Sequence, residues 1–159
     1  MSDFESEIKY LVASQYGCAG ATQSCKIEFK KNVCRELMKY LKKEDNVEIY
    51  TDEVGFPGTT SSARGRLILE EYNIEIVITV KTNSIGAFAR YLGNESEIKD
   101  KEKHLIAFGG ELVKGIMTSR QFENFESFLK VKVIEFIYEL DKECNGKIIN
   151  KKFDENIHF

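Results

Sequence analysis

The strongest constraint on the fold is a run of alternating residues, Ile74-Glu75-Ile76-Val77-Ile78-Thr79-Val80-Lys81. β-Branched residues occupy every second position of this run, and in an extended chain they all point to one side. This is the two-residue period of a strand and not the 3.6-residue period of a helix. The run therefore predicts a strand whose one face lies against a core.

The residues before this run predict its first partner strand. Tyr72-Asn73 can serve as a tight turn of two residues, because asparagine tolerates positive φ better than most residues. Residues 66–71 would then form the second strand of an antiparallel hairpin. The pairs predicted on its buried face are Leu69 with Ile76 and Leu67 with Ile78.

The same register fixes the pairs on the opposite face of the hairpin. They are Glu70 with Glu75, Ile68 with Val77, Arg66 with Thr79 and Arg64 with Lys81. Two adjacent glutamates repel each other unless water, a lysine or a cation intervenes, whereas the basic end can hold a phosphate or an acidic partner. This face is interpreted as a solvated surface, as an anion or partner contact, or as a metal site.

Four helices are predicted from capping residues and from apolar residues at helical spacing. They cover residues 2–17, residues 24–43, a short segment at 84–92 and a long segment at 118–145. The long helix is expected to end where Gly146 follows, because glycine terminates a helix at little cost.

Three further strands complete the predicted sheet. Residues 46–54 are rich in β-branched and aromatic residues, and residues 104–108 and 111–116 flank a Gly-Gly pair that suits a second hairpin. An exposed loop is expected at 56–65. The sequence therefore predicts an α+β fold, in which two long helices and the N-terminal helix pack on a central, mostly antiparallel sheet of about five strands.

Length and composition limit the class of protein. The 159 residues have the size of one domain and no Pro/Gly-rich linker divides them, so residues 1–159 are expected to form a single domain. With 42% hydrophobic and 31% charged residues, the chain is too apolar for a disordered protein and too charged for a membrane protein. The acidic start at 1–5 is unlike a secretory signal, which predicts a cytoplasmic protein without membrane contact.

The four cysteines are expected to be reduced thiols, because a domain of this size does not need disulfides. They are Cys18, Cys25, Cys34 and Cys144, and no two of them have the short spacing with which two zinc ligands grip one ion. No metal site is predicted from them. Cys25 lies in the first turn of a predicted helix, where thiols can be reactive, but an inert thiol is the preferred interpretation.

The predicted order of helix, strand, hairpin, helix, strand and helix, with Lys81 two residues past a polar position on the third strand, resembles the core of the PD-(D/E)XK nuclease superfamily. The resemblance covers residues 26–116. It implies a nuclease in which carboxylates hold the Mg²⁺ that activates water. It also implies that Lys81 is the motif lysine and that Glu28 is the acid of the first helix.

Other residues occupy the acidic positions of that motif. Thr79 stands two residues before Lys81, where the motif has an acid, and the second-strand acid falls near residues 64–65. If the resemblance holds, carboxylates at other positions would have to replace the motif acids in the metal site. Otherwise the chain would be a family member that binds without cleaving. The candidates for migrated ligands are Asp52, Glu53 and Glu75.

The leading hypothesis is a non-enzymatic interaction protein of the inhibitor or immunity type, without a cofactor, that binds another protein through the charged sheet face. The alternatives are a Mg²⁺-dependent nuclease and a nucleic-acid-binding module that does not cleave. A net charge of −3 disfavours a protein that coats nucleic acid, but it allows local basic patches. The nuclease would use Asp52, Glu53, Glu75 and Lys81. The contact residues predicted for the leading hypothesis are Arg64, Arg66, Lys81, Phe56, Glu70 and Glu75.

Overall fold

The computed structural model describes residues 23–52, 62–81, 84–109, 119–149 and 155–159. The helix predicted at 2–17, the strand predicted at 111–116 and the side chain of Phe56 lie outside these ranges. The described residues form two α-helices and five strands. In chain order these are α1 (Gln23–Lys42), β1 (Ile49–Asp52), β2 (Ser62–Leu69), β3 (Ile74–Val80), β4 (Ser84–Tyr91), β5 (Glu102–Gly109) and α2 (Ser119–Glu143).

The five strands form one antiparallel sheet in the order β1-β2-β3-β4-β5. Each strand pairs with the strand that precedes or follows it in the chain, so the sheet is a meander with β3 at its centre. This arrangement confirms the predicted α+β fold with an antiparallel sheet of about five strands.

Both helices contribute their apolar stripes to a single core with one face of the sheet. In α1 the buried residues recur at helical spacing, as predicted, and in α2 they recur along nearly the whole helix. The end of α2 is also as predicted, because Asn145 and Gly146 adopt positive φ of 58° and 80° after its last turn. The stripes consist of Val33, Cys34, Leu37, Met38 and Leu41 in α1 and of Phe125, Leu129, Val133, Phe136, Ile137 and Leu140 in α2.

Strand β3 supplies the sheet's side of this core. Its alternate residues Ile74, Ile76, Ile78 and Val80 are fully buried, which confirms the strand that the sequence pattern predicts. We call the side of the sheet that packs against the helices the core face.

A glycine on the core face sets the distance between α1 and the sheet. A Cβ atom on Gly65 would overlap Sδ of Met38 and would lie 2.5 Å from its Cγ. Only a residue without a side chain allows Met38 to fill this space, so Gly65 permits the helix to approach β2 closely.

The turn between β2 and β3 is longer than predicted. Instead of two residues, it contains the 3₁₀ segment Glu70–Tyr72, followed by Asn73 in the left-handed conformation with φ 54° and ψ 46°. The register therefore differs by two residues from the predicted one, and Leu69 pairs with Ile74 rather than with Ile76. Because side chains alternate with a period of two, a shift of two residues leaves each one on its predicted face.

The helix predicted at 84–92 is wrong, because this segment is strand β4. The helix was inferred from Ile85, Phe88 and Leu92, which recur at spacings of three and four. The alternation of buried residues through Ala87 and Ala89 to Tyr91 is the pattern that the fold follows. The tertiary reason is that β3 needs a partner on its second edge, and β4 supplies it along the whole of β3.

Two further predictions change at their boundaries. Residues 62–65, which were expected to be loop, belong to β2, and β5 begins at Glu102, two residues before the start of the strand predicted at 104–108. Among the described helices, none is long and apolar enough to cross a membrane.

Candidate functional site

The second side of the sheet carries the residues that the sequence singled out for binding. We call it the open face, because the two described helices lie against the core face. The register aligns its side chains in three rows across the strands. The rows are Tyr50–Arg64–Thr79–Gly86, then Arg66–Val77–Phe88–His104, then Ile68–Glu75–Arg90–Glu102, and Lys81 follows Thr79 at the end of β3.

A buried carboxylate in the third of these rows lies between two arginines. Nε of Arg66 donates to Oε2 of Glu75 at 2.7 Å, and Nη2 of the same guanidinium also donates to this oxygen. Nη2 of Arg90 donates to Oε1 at 3.2 Å. The side chain of Glu75 is only 4% exposed, whereas those of Arg66 and Arg90 are 54% and 41% exposed. We call these three residues the Glu75 cluster.

The Glu75 cluster fixes two cations at the surface. Charge-assisted hydrogen bonds to a buried carboxylate restrict the rotamers of both arginines, and each guanidinium keeps further N–H donors for other acceptors. Nε of Arg90 is buried and has no hydrogen-bond partner among the described residues. Two positive charges against one negative charge leave the cluster with a net charge of +1.

Two shallow depressions flank this arrangement. The first, which we call the Tyr50 depression, is lined by Tyr50 and the three residues of the Glu75 cluster. Its tyrosine ring is 42% exposed. An exposed ring beside two held guanidinium groups can form stacking and cation–π contacts with a bound group.

The second depression exists because β4 carries a glycine on the open face. Gly86 pairs with Thr79 and contributes no side chain, so the neighbouring side chains surround an open floor. Cations, a hydroxyl group and an aromatic ring all reach this space. We call it the Gly86 depression, and it is lined by Arg64, Thr79, Lys81, Gly86, Phe88 and His104.

The structure brings four of the predicted contact residues together on the open face, namely Arg64, Arg66, Glu75 and Lys81. The predicted pairing of Glu70 with Glu75 is wrong, because Glu75 lies opposite Ile68 and its carboxylate is held by arginines. Glu70 is exposed in the turn after β2, where it borders a different hollow together with residues 156–158.

The remaining predicted site residues are only partly described. Asp52 is the last residue of β1 and pairs with Ser62, but its side chain is outside the described part of the chain. Glu53 and Phe56 lie in the undescribed segment 53–61.

Sequence reasoning missed four residues of the open face. Phe88 and Arg90 were assigned to a helix, and His104 and Tyr50 were not connected with the charged hairpin. The signal that could have found the first two was the alternation of Ala87, Ala89 and Tyr91, which predicts that the residues between them face the other side.

The two cysteines within the described residues, Cys34 and Cys144, are buried free thiols. Burial raises the pKa of the Cys34 thiol to about 12, with the nearby Arg35 opposing this shift. A thiol with such a pKa is protonated at neutral pH and is a poor nucleophile. Within the described ranges, no group of three or more His, Cys, Asp or Glu side chains could hold a metal ion.

No family model, no curated protein and no solved structure matches this chain. The element order on which the PD-(D/E)XK resemblance was based included a helix at 84–92, and β4 occupies that segment.

Proposed function

We propose that the protein is a binding module for an anionic macromolecule and that the open face of the sheet is its contact surface. The observation that carries the proposal is the Glu75 cluster, in which one buried carboxylate holds two half-exposed arginines in place. Such a module belongs to the predicted class of non-enzymatic interaction proteins, and the proposal adds that its partner is negatively charged.

The charge distribution supports an anionic partner. The whole chain has a net charge of −3, whereas the open face combines four cationic side chains with the carboxylates of Glu75 and Glu102. Opposite charges on two surfaces accelerate association and exclude partners of the wrong charge. The cationic side chains are Arg64, Arg66, Lys81 and Arg90.

The burial of Glu75 also supports a role in binding. Removing a carboxylate from water is costly, and an apolar residue of similar size at such a position is often as stable or more stable. A buried glutamate that orients two exposed arginines does have a use in recognition, because cations held in place lose less conformational entropy when they bind a ligand.

The contacts of Glu75 favour binding over metal-dependent hydrolysis. The nuclease alternative assigns Glu75 to a metal site, but Arg66 occupies its Oε2 and Arg90 contacts its Oε1. A carboxylate with both oxygens engaged by cations is a poor ligand for Mg²⁺, which requires negatively charged or neutral oxygen donors close to it.

The test is a binding assay with three fluorescent polyanions: a poly-glutamate peptide, a 20-nucleotide single strand and a 20-base-pair duplex. We expect at least one of them to bind with a Kd that rises steeply with salt. The double variant Arg64→Glu/Lys81→Glu should weaken this binding by about tenfold or more. In a plot of log Kd against log salt concentration, each cation that contacts the ligand should account for roughly one unit of the slope.

The matched control is Lys99→Glu/Lys132→Glu, which changes the net charge by the same amount at positions away from the open face. It should leave the affinity nearly unchanged. Arg64 and Lys81 are suitable targets because neither contacts Glu75, so the Glu75 cluster remains intact. No binding to any polyanion at low salt, or equal losses in the two double variants, would contradict the proposal.

A further inference from the structure

We infer that the partner of the open face is a single-stranded nucleic acid, whose bases stack on Tyr50 and Phe88 and whose phosphates contact the surrounding cations. This inference rests on the proposed function and specifies the chemical class of the anion. The aromatic rings that lie among the cations support it, because attraction to negative charge alone would not require aromatic rings.

Two aromatic rings lie among the cations of the open face. Tyr50 is the cross-strand neighbour of Arg64, and Phe88 shares a row with Arg66 and borders the Gly86 depression. Proteins that bind single strands combine a positively charged path for the backbone with rings on which bases stack, and a sheet surface is a common platform for both.

The Gly86 depression contains the groups that one nucleotide would need. The ring of Phe88 forms one side and can stack on a base, Arg64 and Lys81 can pair with a phosphate, and the hydroxyl of Thr79 can donate or accept a hydrogen bond. The missing side chain at Gly86 leaves room for the base to reach the sheet.

The Tyr50 depression offers a second position of the same kind. Its exposed ring stands beside Arg66 and Arg90, whose guanidinium groups the buried Glu75 holds. Three strand spacings and one row separate Tyr50 from Phe88, which places their Cα atoms about 16 Å apart. This separation suits a strand with splayed bases, the form in which proteins read single-stranded nucleic acids.

The same features argue against the other anionic macromolecules. In a duplex the bases are stacked on each other, so they cannot lie flat on Tyr50 or Phe88. A protein partner would require an apolar centre depleted of charge, because that is the composition of the buried part of protein interfaces. At the centre of the open face Val77 is only 2% exposed, and its cross-strand neighbour Arg66, a charged residue of the Glu75 cluster, is 54% exposed.

The experiment compares single-stranded 20-mers of uridine and of thymidine with a duplex of equal length and with poly-glutamate, by fluorescence anisotropy on the full chain. The decisive variant is Tyr50→Leu/Phe88→Leu, which removes both rings but preserves the charge and apolar character of the face. The matched control is Phe128→Leu, which removes a ring that is 53% exposed on α2.

We expect the single strands to bind more tightly than the duplex and poly-glutamate. The ring variant should lose about tenfold or more in single-strand affinity, as the loss of base stacking predicts, and the Phe128 control should lose none. If the double variant fails to fold, Tyr50→Leu alone is tested, because this exposed ring is not part of the core and its loss should still weaken binding.

Three other results would overturn the inference in different ways. If all the polyanions bind equally and the ring variant binds like the original chain, the open face is a general anion surface and the proposed function stands without this inference. If poly-glutamate binds and single strands do not, the partner is an acidic protein. If nothing binds, the inference and the proposed function fail together.

Discussion

Removal of both arginines from the Glu75 cluster should destabilise the protein by more than the sum of the two single losses. With Arg66→Ala, Glu75 loses the two donors on Oε2 but keeps Arg90, and with Arg90→Ala it loses only a contact of 3.2 Å. When both are removed, a carboxylate that is 4% exposed keeps neither of the cations that now neutralise it.

The magnitudes follow from the exposure of each partner. Hydrogen bonds to charged groups contribute about 1.5–3 kcal/mol each, but solvent screening reduces this contribution for half-exposed arginines. We expect Arg66→Ala to lower the free energy of unfolding by about 2 kcal/mol and Arg90→Ala to lower it by about 1 kcal/mol. The double variant should lose about 4–5 kcal/mol, since an uncompensated buried charge costs that much.

The measurement is urea denaturation followed by far-UV circular dichroism at pH 7 on the four members of the cycle. A third change, Glu75→Met in the double-alanine background, serves as the control, because it replaces the buried charge with an apolar chain of similar length. It should recover most of the lost stability. Strictly additive losses without recovery by Glu75→Met would refute the reasoning that the arginines compensate a buried charge.

Three further predictions concern the scaffold. Gly65→Ala should lower the free energy of unfolding by about 1–3 kcal/mol, because its Cβ would overlap Met38. Chemical denaturation should show a smaller loss when Gly65→Ala is combined with Met38→Ala, since the smaller residue at 38 makes room for the Cβ. Asn73→Gly should leave the free energy of unfolding nearly unchanged, whereas Asn73→Val should lower it by about 1–2 kcal/mol, because φ of residue 73 is 54°. Equal thermal stability of the two variants would contradict this expectation. Because burial raises the pKa of Cys34 from 9.0 to about 12, the unfolded chain loses this proton first as the pH rises through that interval. The stabilisation by Cys34 is therefore complete below pH 9 and should fall by about 1.4 kcal/mol per pH unit above it. When the free energy of unfolding is measured against pH in parallel, that of Cys34→Ser should decrease less steeply above pH 9.

The parts of the fold that the sequence predicts correctly have local causes. The helices at 23–42 and 119–143 and the strand β3 each follow from a period in the side chains, and Asn73 adopts the positive φ for which asparagine was noted. These signals depend only on residues that are close in sequence. The rest of the chain therefore does not change the elements that these signals predict.

The errors have non-local causes. Residues 84–92 contain apolar side chains at both helical and strand spacings, and the choice between them is made by the exposed edge of β3. The turn at 70–73 could close with two residues or four, and both forms keep the same side chains on the core face, so the alternation of apolar residues does not choose between them. Neither decision is visible in the segment itself.

The candidate site was predictable to the extent that it depends on the hairpin. Arg64, Arg66 and Lys81 could be assigned to one face, because a register shift of two residues does not change faces. The partner of Glu75 could not be assigned correctly, since Arg90 reaches it only after β4 has paired with β3. Phe88 was missed for the same reason, and Tyr50 was missed because it joins the site only when β1 pairs with β2.

The meander has a consequence for the speed at which the protein folds. Each of the five described strands pairs with its neighbour in sequence, so the ribbon from β2 to β4 spans only residues 62–91 and closes through short loops. Chains with such local contacts have a low entropy cost of loop closure and fold rapidly for β proteins. The slowest step should then be the docking of α2, whose Glu126 meets Lys43 across 83 residues of chain. The surface of the hairpins would thus be assembled before the core behind it is complete.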